Sequence, residues 1–583
     1  MKRSHTFRQR LVLVLTAVIV LVVPSASFAQ SPSEVTALAR YYPADTILFA
    51  GIRTDDAYFS TLDAVLDRLN RATGGSINIP GRIQDLLDLV LGELIEGGTF
   101  QNSVRTWLGS SAAVGITDLA VLTDSDESND VQGYLAAAAI TDRAAAQAFI
   151  EEVVIPQATR NASQVETLEG AGYTGYELLD TNGDLVYFVL FDEVLFFSAS
   201  DVPLPLDGFP VDTLDSLAAF TSGVDALPAD VYNIVAYIDT PTVLGAAAQA
   251  ARNAPGVSMD NDALSVIESA VNAAGATVIG AVTFADRTLA LDAVQNFSGT
   301  GVMGITAGSP VDPAFARFIP ANTPLVIHAT DLNSVIDQLL RVVETAAAQA
   351  DPEADAAQQI RFGIAVINTV LGLDLQEDVL SWMTGDFALV AGLGENFPAT
   401  ADDVFTLSSL PLEFGLIVEA TNATQAETVF DGLRTTLEQS AENNPDQLAI
   451  TESSEAGQRL LVAAVQTPDL PFPVELAVGL SDQVFAIGTA QVVQHALNPV
   501  NSLADDPLFN EAAANVLPNA SQVWYLAGEP LQPLVTLIGS DESQAEQAEG
   551  LQTALTVFHS SSISTTITAD GSLITRAALT LPE

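Results

Sequence analysis

Five landmarks recur in one order along this 583-residue chain at nearly one spacing, and no other feature limits its fold as tightly. Pro43 and Pro320 lie 277 residues apart, Trp107 and Trp382 275, Asp192 and Asp482 290, Pro228 and Pro518 290, and Asp286 and Asp570 284. Chance scatters both order and spacing, so the pattern predicts a tandem duplication whose halves fold alike. A period this long excludes the stacked short repeats of a solenoid. Each half opens with the same kind of turn and strand. Tyr42-Pro43-Ala44-Asp45-Thr46 precedes the apolar run from Ile47, and Pro320-Ala321-Asn322-Thr323 precedes Leu325-Val326-Ile327. Proline fixes φ and Asp or Asn accepts nearby backbone N–H groups, so both read as tight turns that launch buried strands.

Between these landmarks the periodicity alternates. Tyr58, Leu62, Val65, Leu66 and Leu69 fall on one face of an amphipathic helix, and Leu332, Val335, Ile336, Leu339, Leu340 and Val343 repeat that face in the second half. A second helix is expected over Ile83 to Leu94, a third over Ala144 to Val154 behind the cap Thr141-Asp142, and another over Leu264 to Ala273. Strands are expected over 112–116, 134–140, 185–190, 194–198, 234–238, 276–284 and 288–294. Single strands and hairpins broken by helices suit an antiparallel sheet better than regular βαβ winding. The expected fold is therefore α+β: two tandem duplicated domains, each a mainly antiparallel sheet with helices packed on one face. The first spans 30–300, a linker 301–310, and the second 311–583. Trp107 and Trp382 hold matching positions and are expected to anchor the two cores, their indole N–H groups bonded to turn carbonyls.

The first residues predict the compartment. Lys2, Arg3, Arg8 and Arg10 form a basic region, Leu11 to Val23 an apolar run, and Ser27 and Ala29 a small-residue exit, the pattern of a secretory signal over 1–29 cleaved after Ala29. An uncleaved anchor is the alternative, although the run is shorter than the ~20 residues a spanning helix needs. The chain carries 73 acidic against 20 basic residues, and Lys2 is its only lysine. Such a surface repels nucleic acid and anionic lipid headgroups, which excludes binding driven by phosphate neutralisation. Without cysteine there are no disulfides, thiolate metal sites or cysteine nucleophiles.

The signal segment, the Tyr42-Pro43-Ala44-Asp45-Thr46 turn with its apolar strand, and the turn Trp382-Met383-Thr384-Gly385 together resemble a family of uncharacterised exported bacterial envelope proteins, classed only as domain of unknown function 3352. The first half departs from the last motif, with Gly109 one residue nearer to Trp107. The resemblance covers most of the mature chain. It implies an exported bacterial protein and carries no catalytic residue across.

Few motifs offer chemistry. Gly299-Thr300-Gly301-Val302-Met303-Gly304 matches a dinucleotide loop in letters, but Ile305-Thr306-Ala307-Gly308-Ser309-Pro310 cannot open the helix that such a loop requires, so it reads as a linker. Asp180, Asn182 and Asp184 have the oxygen density of a calcium loop without its full spacing, and read first as an Asn-Gly hairpin turn. Asp124 and Asp126 mark a second acidic loop, read first as a solvated charge run. Calcium at these loops is the one cofactor the residues suggest. His328 lies in the second launching strand where the first half has Ala50 or Gly51, and it is the histidine to inspect, with a satisfied strand histidine as the plain reading. No catalytic, cofactor or metal residue is assigned.

High apolar content with few catalytic features points to a non-enzymatic envelope protein with a binding or scaffold role, whose most concrete version is a carrier of an apolar small molecule or lipid. An extracellular hydrolase working through carboxylates and a structural surface protein are the alternatives. An apolar cleft of roughly 300 Å3 or more is what the carrier requires.

Overall fold

A computed structural model describes residues 31–73, 82–94, 99–118, 134–156, 162–170, 172–180, 185–199, 212–253, 277–285, 287–296, 308–337, 340, 368–369, 372–394, 397, 411–455, 457–466, 474–539 and 545–582. The expected signal segment, the expected helix 264–273 and most of the expected linker lie outside them. The chain divides into two compact units, built mainly from Met1–Val302 and Met303–Ala569.

Among the described residues the first unit has ten strands: β1 Leu48–Arg53, β2 Leu108–Ile116, β3 Tyr134–Ile140, β4 Ala162–Gly170, β5 Tyr173–Asp180, β6 Leu185–Leu190, β7 Val194–Ala199, β8 Ile234–Asp239, β9 Thr277–Ala285 and β10 Thr288–Asn296. Every pairing is antiparallel, in the order β4-β5-β6-β7-β3-β2-β1-β8-β9-β10. The second unit is built from β11 Leu325–Thr330, β12 Asp386–Leu393, β13 Leu412–Glu419, β14 Leu448–Glu455, β15 Gln458–Val465, β16 Val474–Leu480, β17 Val484–Thr489, β18 Gln522–Ala527, β19 Ser560–Ile567 and β20 Leu573–Thr580. Its order, β14-β15-β16-β17-β13-β12-β11-β18-β19-β20, repeats the first strand for strand. The class is α+β with antiparallel sheet, as the alternation of periods predicts.

The launching turns close as their residues dictate. The hydroxyl of Thr46 donates to Pro43 O at 2.7 Å, and that of Thr323 to Pro320 O at 2.7 Å. Pro43 bridges to Thr213 and Pro320 to Ser502. Asn322 takes φ 59°, a left-handed conformation that asparagine tolerates because its short amide bonds locally. Trp107 and Trp382 are both buried, and their indole N–H groups donate to the carbonyl four residues earlier, Ser103 O at 2.8 Å and Asp378 O at 3.1 Å.

Helices in the first unit include α1 Asp56–Ala72, α2 Ile83–Leu94, α3 Arg143–Phe149 and α4 Ala218–Asp225, with a further one over Thr240–Asn253; those in the second include α5 Ala423–Asn443, α6 Ala490–Leu497 and α7 Pro507–Ala513, with further ones over Gln532–Gly539 and Ala545–Val557. Asp55 caps α1 by accepting from Tyr58 N, Asp142 caps α3 through Ala145 N, and Asn422 caps α5 through Gln425 N. The expectation of helices on one face is corrected: each unit packs helices on both faces. Side chains alternate along a strand, so Phe387 of β12 joins the core under α5 while its neighbour Ala388 joins the core with α6. In the first unit Ile52 packs with α1, whereas Phe49 meets Phe220 of α4 edge to face with centroids 5.9 Å apart. Strands with apolar residues at both odd and even positions, such as Ala486 and Phe485 in β17, are the signature of two covered faces.

The hairpins β4–β5 and β14–β15 are not apparent from sequence patterning. β14 is exposed over most of its length, so it shows no buried alternation to read.

Candidate functional site

Helix α5 is 21 residues long and lies over the sheet of the second unit, burying Val429 and Phe430 in its first half. Leu433 and Leu437 in its second half pack against the edge of that core. The same two residues look across a cleft of about 740 Å3 onto the strands beneath. The floor is a row in cross-strand register: Leu389 of β12, Leu416 of β13, Ile487 of β17, Val478 of β16 and Leu461 of β15. Directly opposed residues of neighbouring strands point to the same face, so these five side chains form one continuous apolar line. The hydroxyls among the described lining residues, Thr436 and Ser440, donate back into the helix to Gly432 O at 3.0 Å and Thr436 O at 2.9 Å. Among the described residues that line it there is no carboxylate, amine or imidazole. That lining can bury a hydrocarbon surface and holds no group to bind a charge or move a proton.

The corresponding place in the first unit is filled. The matching row there is Val114, Ala136, Phe197, Phe188 and Tyr176. Phe188 and Phe197 stack at a tilt with centroids 5.2 Å apart, and both are buried. The Tyr176 hydroxyl donates to Glu151 Oε1 at 2.5 Å; burial and then that bond push its pKa up to about 12. Above them α3 is only seven residues long and passes into a π-turn, Ile150–Val154, whose Ile150 and Val154 complete the packing.

His328 is buried on β11, on the sheet face opposite the cleft. Its Nε2 lies 2.7 Å from Asp386 Oδ1, and the same oxygen accepts from Asp312 N at 2.9 Å. Asp386 N donates to Glu419 Oε2 at 3.2 Å, and the imidazole stacks on Phe315 at 5.3 Å and 19°. The ring borders a cavity of about 100 Å3, otherwise lined chiefly by apolar groups such as Val326, Val523 and Tyr525. This is a hydrogen-bonded clip between β11, β12 and the turn at 312, with room for a few waters and no larger guest. Register equates His328 with Gly51, where an added Cβ would come within 2.4 Å of Val35 O. Glycine there lets the segment at Val35 lie directly on the strand.

Asp180 ends β5, opposite Ala162. Asn182, Asp184, Asp124 and Asp126 lie outside the described residues. Among the described residues no group of three or more His, Asp or Glu side chains is placed to hold a metal ion. Carboxylates gather at Arg459 instead, which meets Asp431 at 2.8 Å and Glu452 at 3.2 Å as an ion-pair network. No helix among the described residues is long and apolar enough to cross a membrane.

None of the cleft residues was singled out by motif, because a cavity is made by what is missing. The signal that finds it is the offset itself: Phe197 and Phe188 stand 290 residues before Ile487 and Val478. A family model described as "Protein of unknown function (DUF3352)" matches residues 10–579, in agreement with the resemblance drawn from the Pro turn and the Trp turn. No curated protein and no solved structure matches the chain.

Proposed function

The chain belongs to that family of unknown function, and from this premise we propose that it is an exported envelope protein that binds an apolar small molecule or lipid in the cleft of its second unit. The single observation behind the proposal is the 740 Å3 cleft with its apolar floor. Its volume falls within the ~300–1,000 Å3 range of small-molecule sites, and its lining suits burial of hydrocarbon over any polar recognition. We further infer that the two units descend from one duplicated ancestor and have diverged, the first keeping an aromatic core for stability and the second giving that volume to a ligand. Export rests on the basic and apolar pattern of 1–29. A carboxylate hydrolase draws no support from a cleft whose described lining residues include no carboxylate.

The test is native mass spectrometry of the mature protein purified from its own envelope fraction, followed by organic extraction. An apolar molecule is expected to co-purify with the wild type and to be absent from an Ile487→Phe/Val478→Phe variant that folds normally. A wild type that is apo, and stays apo when offered monoacylglycerols, overturns the reading.

A further inference from the structure

A helix that continues over a core repeats apolar residues every three or four positions, as α5 does at Ala426, Val429, Phe430, Leu433 and Leu437. Thr436 and Ser440 stand on the same stripe, where that pattern calls for hydrocarbon, and both line the cleft. Each hydroxyl bonds the backbone carbonyl four residues before it, Gly432 O and Thr436 O. A carbonyl oxygen can only accept, so both hydroxyl protons are committed to the helix. Among the described residues nothing donates to either hydroxyl oxygen. The polar side chains of the described lining therefore offer a guest two acceptors one helical turn apart, and no donor.

Taking the cleft as an apolar-ligand site, we infer that its ligand is an apolar alcohol, which donates its O–H to Thr436 or Ser440 while its hydrocarbon covers the floor from Leu416 to Leu461. The chain of bonds from ligand O–H to side-chain oxygen to helix carbonyl runs in one direction, and each bond polarises the next. An ether, ester or ketone of the same skeleton brings only acceptors and meets no side-chain donor in that lining, so its oxygen is buried without a partner. A carboxylate or ammonium group buried there would face no counter-charge among the described lining residues. Hydrocarbon burial supplies most of the affinity, and the two hydroxyl oxygens select the polar group.

The test titrates the delipidated mature protein by calorimetry with dodecan-1-ol and with its methyl ether, each below its solubility limit, with native mass spectrometry for stoichiometry. Both are expected to bind the wild type over the apolar floor. Thr436→Val/Ser440→Ala removes both oxygens with little change of volume, and is expected to weaken the alcohol ~10-fold while leaving the ether within ~2-fold. Thr436→Ser, which keeps the oxygen, is expected to retain the alcohol's affinity. Should the double variant fail to fold, Thr436→Val alone is expected to show a smaller loss of the same kind, for the alcohol and not for the ether. If the variants weaken both ligands equally, or neither, the hydroxyls serve only the helix, and this inference fails while the cleft reading stands. Failure of both ligands to bind the wild type overturns the two together. A concentration-dependent dimer that Ile487→Phe/Val478→Phe abolishes would make the cleft an interface between copies and likewise overturns both.

Discussion

Tyr176, Phe188 and Phe197 in the first unit and Leu461, Val478 and Ile487 in the second occupy the same three places in the same strand order, yet one set closes a core and the other floors a cleft. The backbone frame is common to both, so the cavity is not a requirement of the fold. The difference goes with three side chains and with the helix above them: α3 and its π-turn pack Ile150 and Val154 into the aromatic core, whereas 21-residue α5 runs over aliphatic residues and its Leu433 and Leu437 border the cleft. An interior normally packs to the density of an organic crystal, and the first unit meets that standard where the second leaves a cleft.

The largest effect should come from emptying the filled side. Phe188→Ala removes a buried ring from the first unit and is expected to cost about 3–5 kcal/mol, seen in calorimetry as a lowered transition for that unit alone. If its stability barely changes, the aromatic set is not the structural counterpart of the cleft. Filling the empty side is the reciprocal experiment. Ile487→Phe/Val478→Phe places the first unit's residues in the second and is expected to weaken monoacylglycerol binding ~100-fold, equivalent to about 2.7 kcal/mol, with the second unit's transition unchanged or raised.

These equivalences also show how much of the molecule could be read from the chain. The launching turns, the tryptophan anchors, the capped helices and the antiparallel class follow from short-range chemistry: proline's fixed φ, an indole N–H that must bond, Asp142 and Asn422 before a helix. Two of the three residues that make the cleft also stand in matched positions 290 apart. The third does not, because the hairpin glycines Gly172 and Gly457 are 285 apart and the register slips between them and β6. Helix length and placement depend on packing between elements distant in sequence, which no local pattern records, and β14 is too exposed to show its period.

A smaller effect separates the units at the launching strand. Gly51→Ala sets a methyl against the Val35 carbonyl oxygen, a backbone atom that cannot rotate away, and is expected to destabilise the first unit by about 1–3 kcal/mol. In the second unit the equivalent His328 fills its site and bonds Asp386, so His328→Ala is expected to cost about 1–2 kcal/mol through the lost bond and cavity. Urea denaturation of both variants checks the pair. If Gly51→Ala is neutral, the Val35 segment is not pressed on the strand and the register match at this position loses its physical basis.

The smallest expected difference is in pH response. Beyond His5, every histidine of the chain falls in the second unit: His328, His495 and His559. Burial on α6 lowers the pKa of His495 below 6.5, opposed by hydrogen bonds to the backbone of Arg317 and Ile319. With the folded value below the unfolded one, the unfolded chain binds more protons as pH falls past 6.5. The contribution of His495 is therefore complete above that pH and is lost as pH falls through the folded value. Between pH 7.5 and 5.5, before most carboxylates titrate, acidification should lower the second unit's melting transition more than the first's, and His495→Gln should remove part of that slope. Equal slopes in the two units, or a slope untouched by the substitution, would mean that other groups, such as the abundant carboxylates, govern the acid response of both.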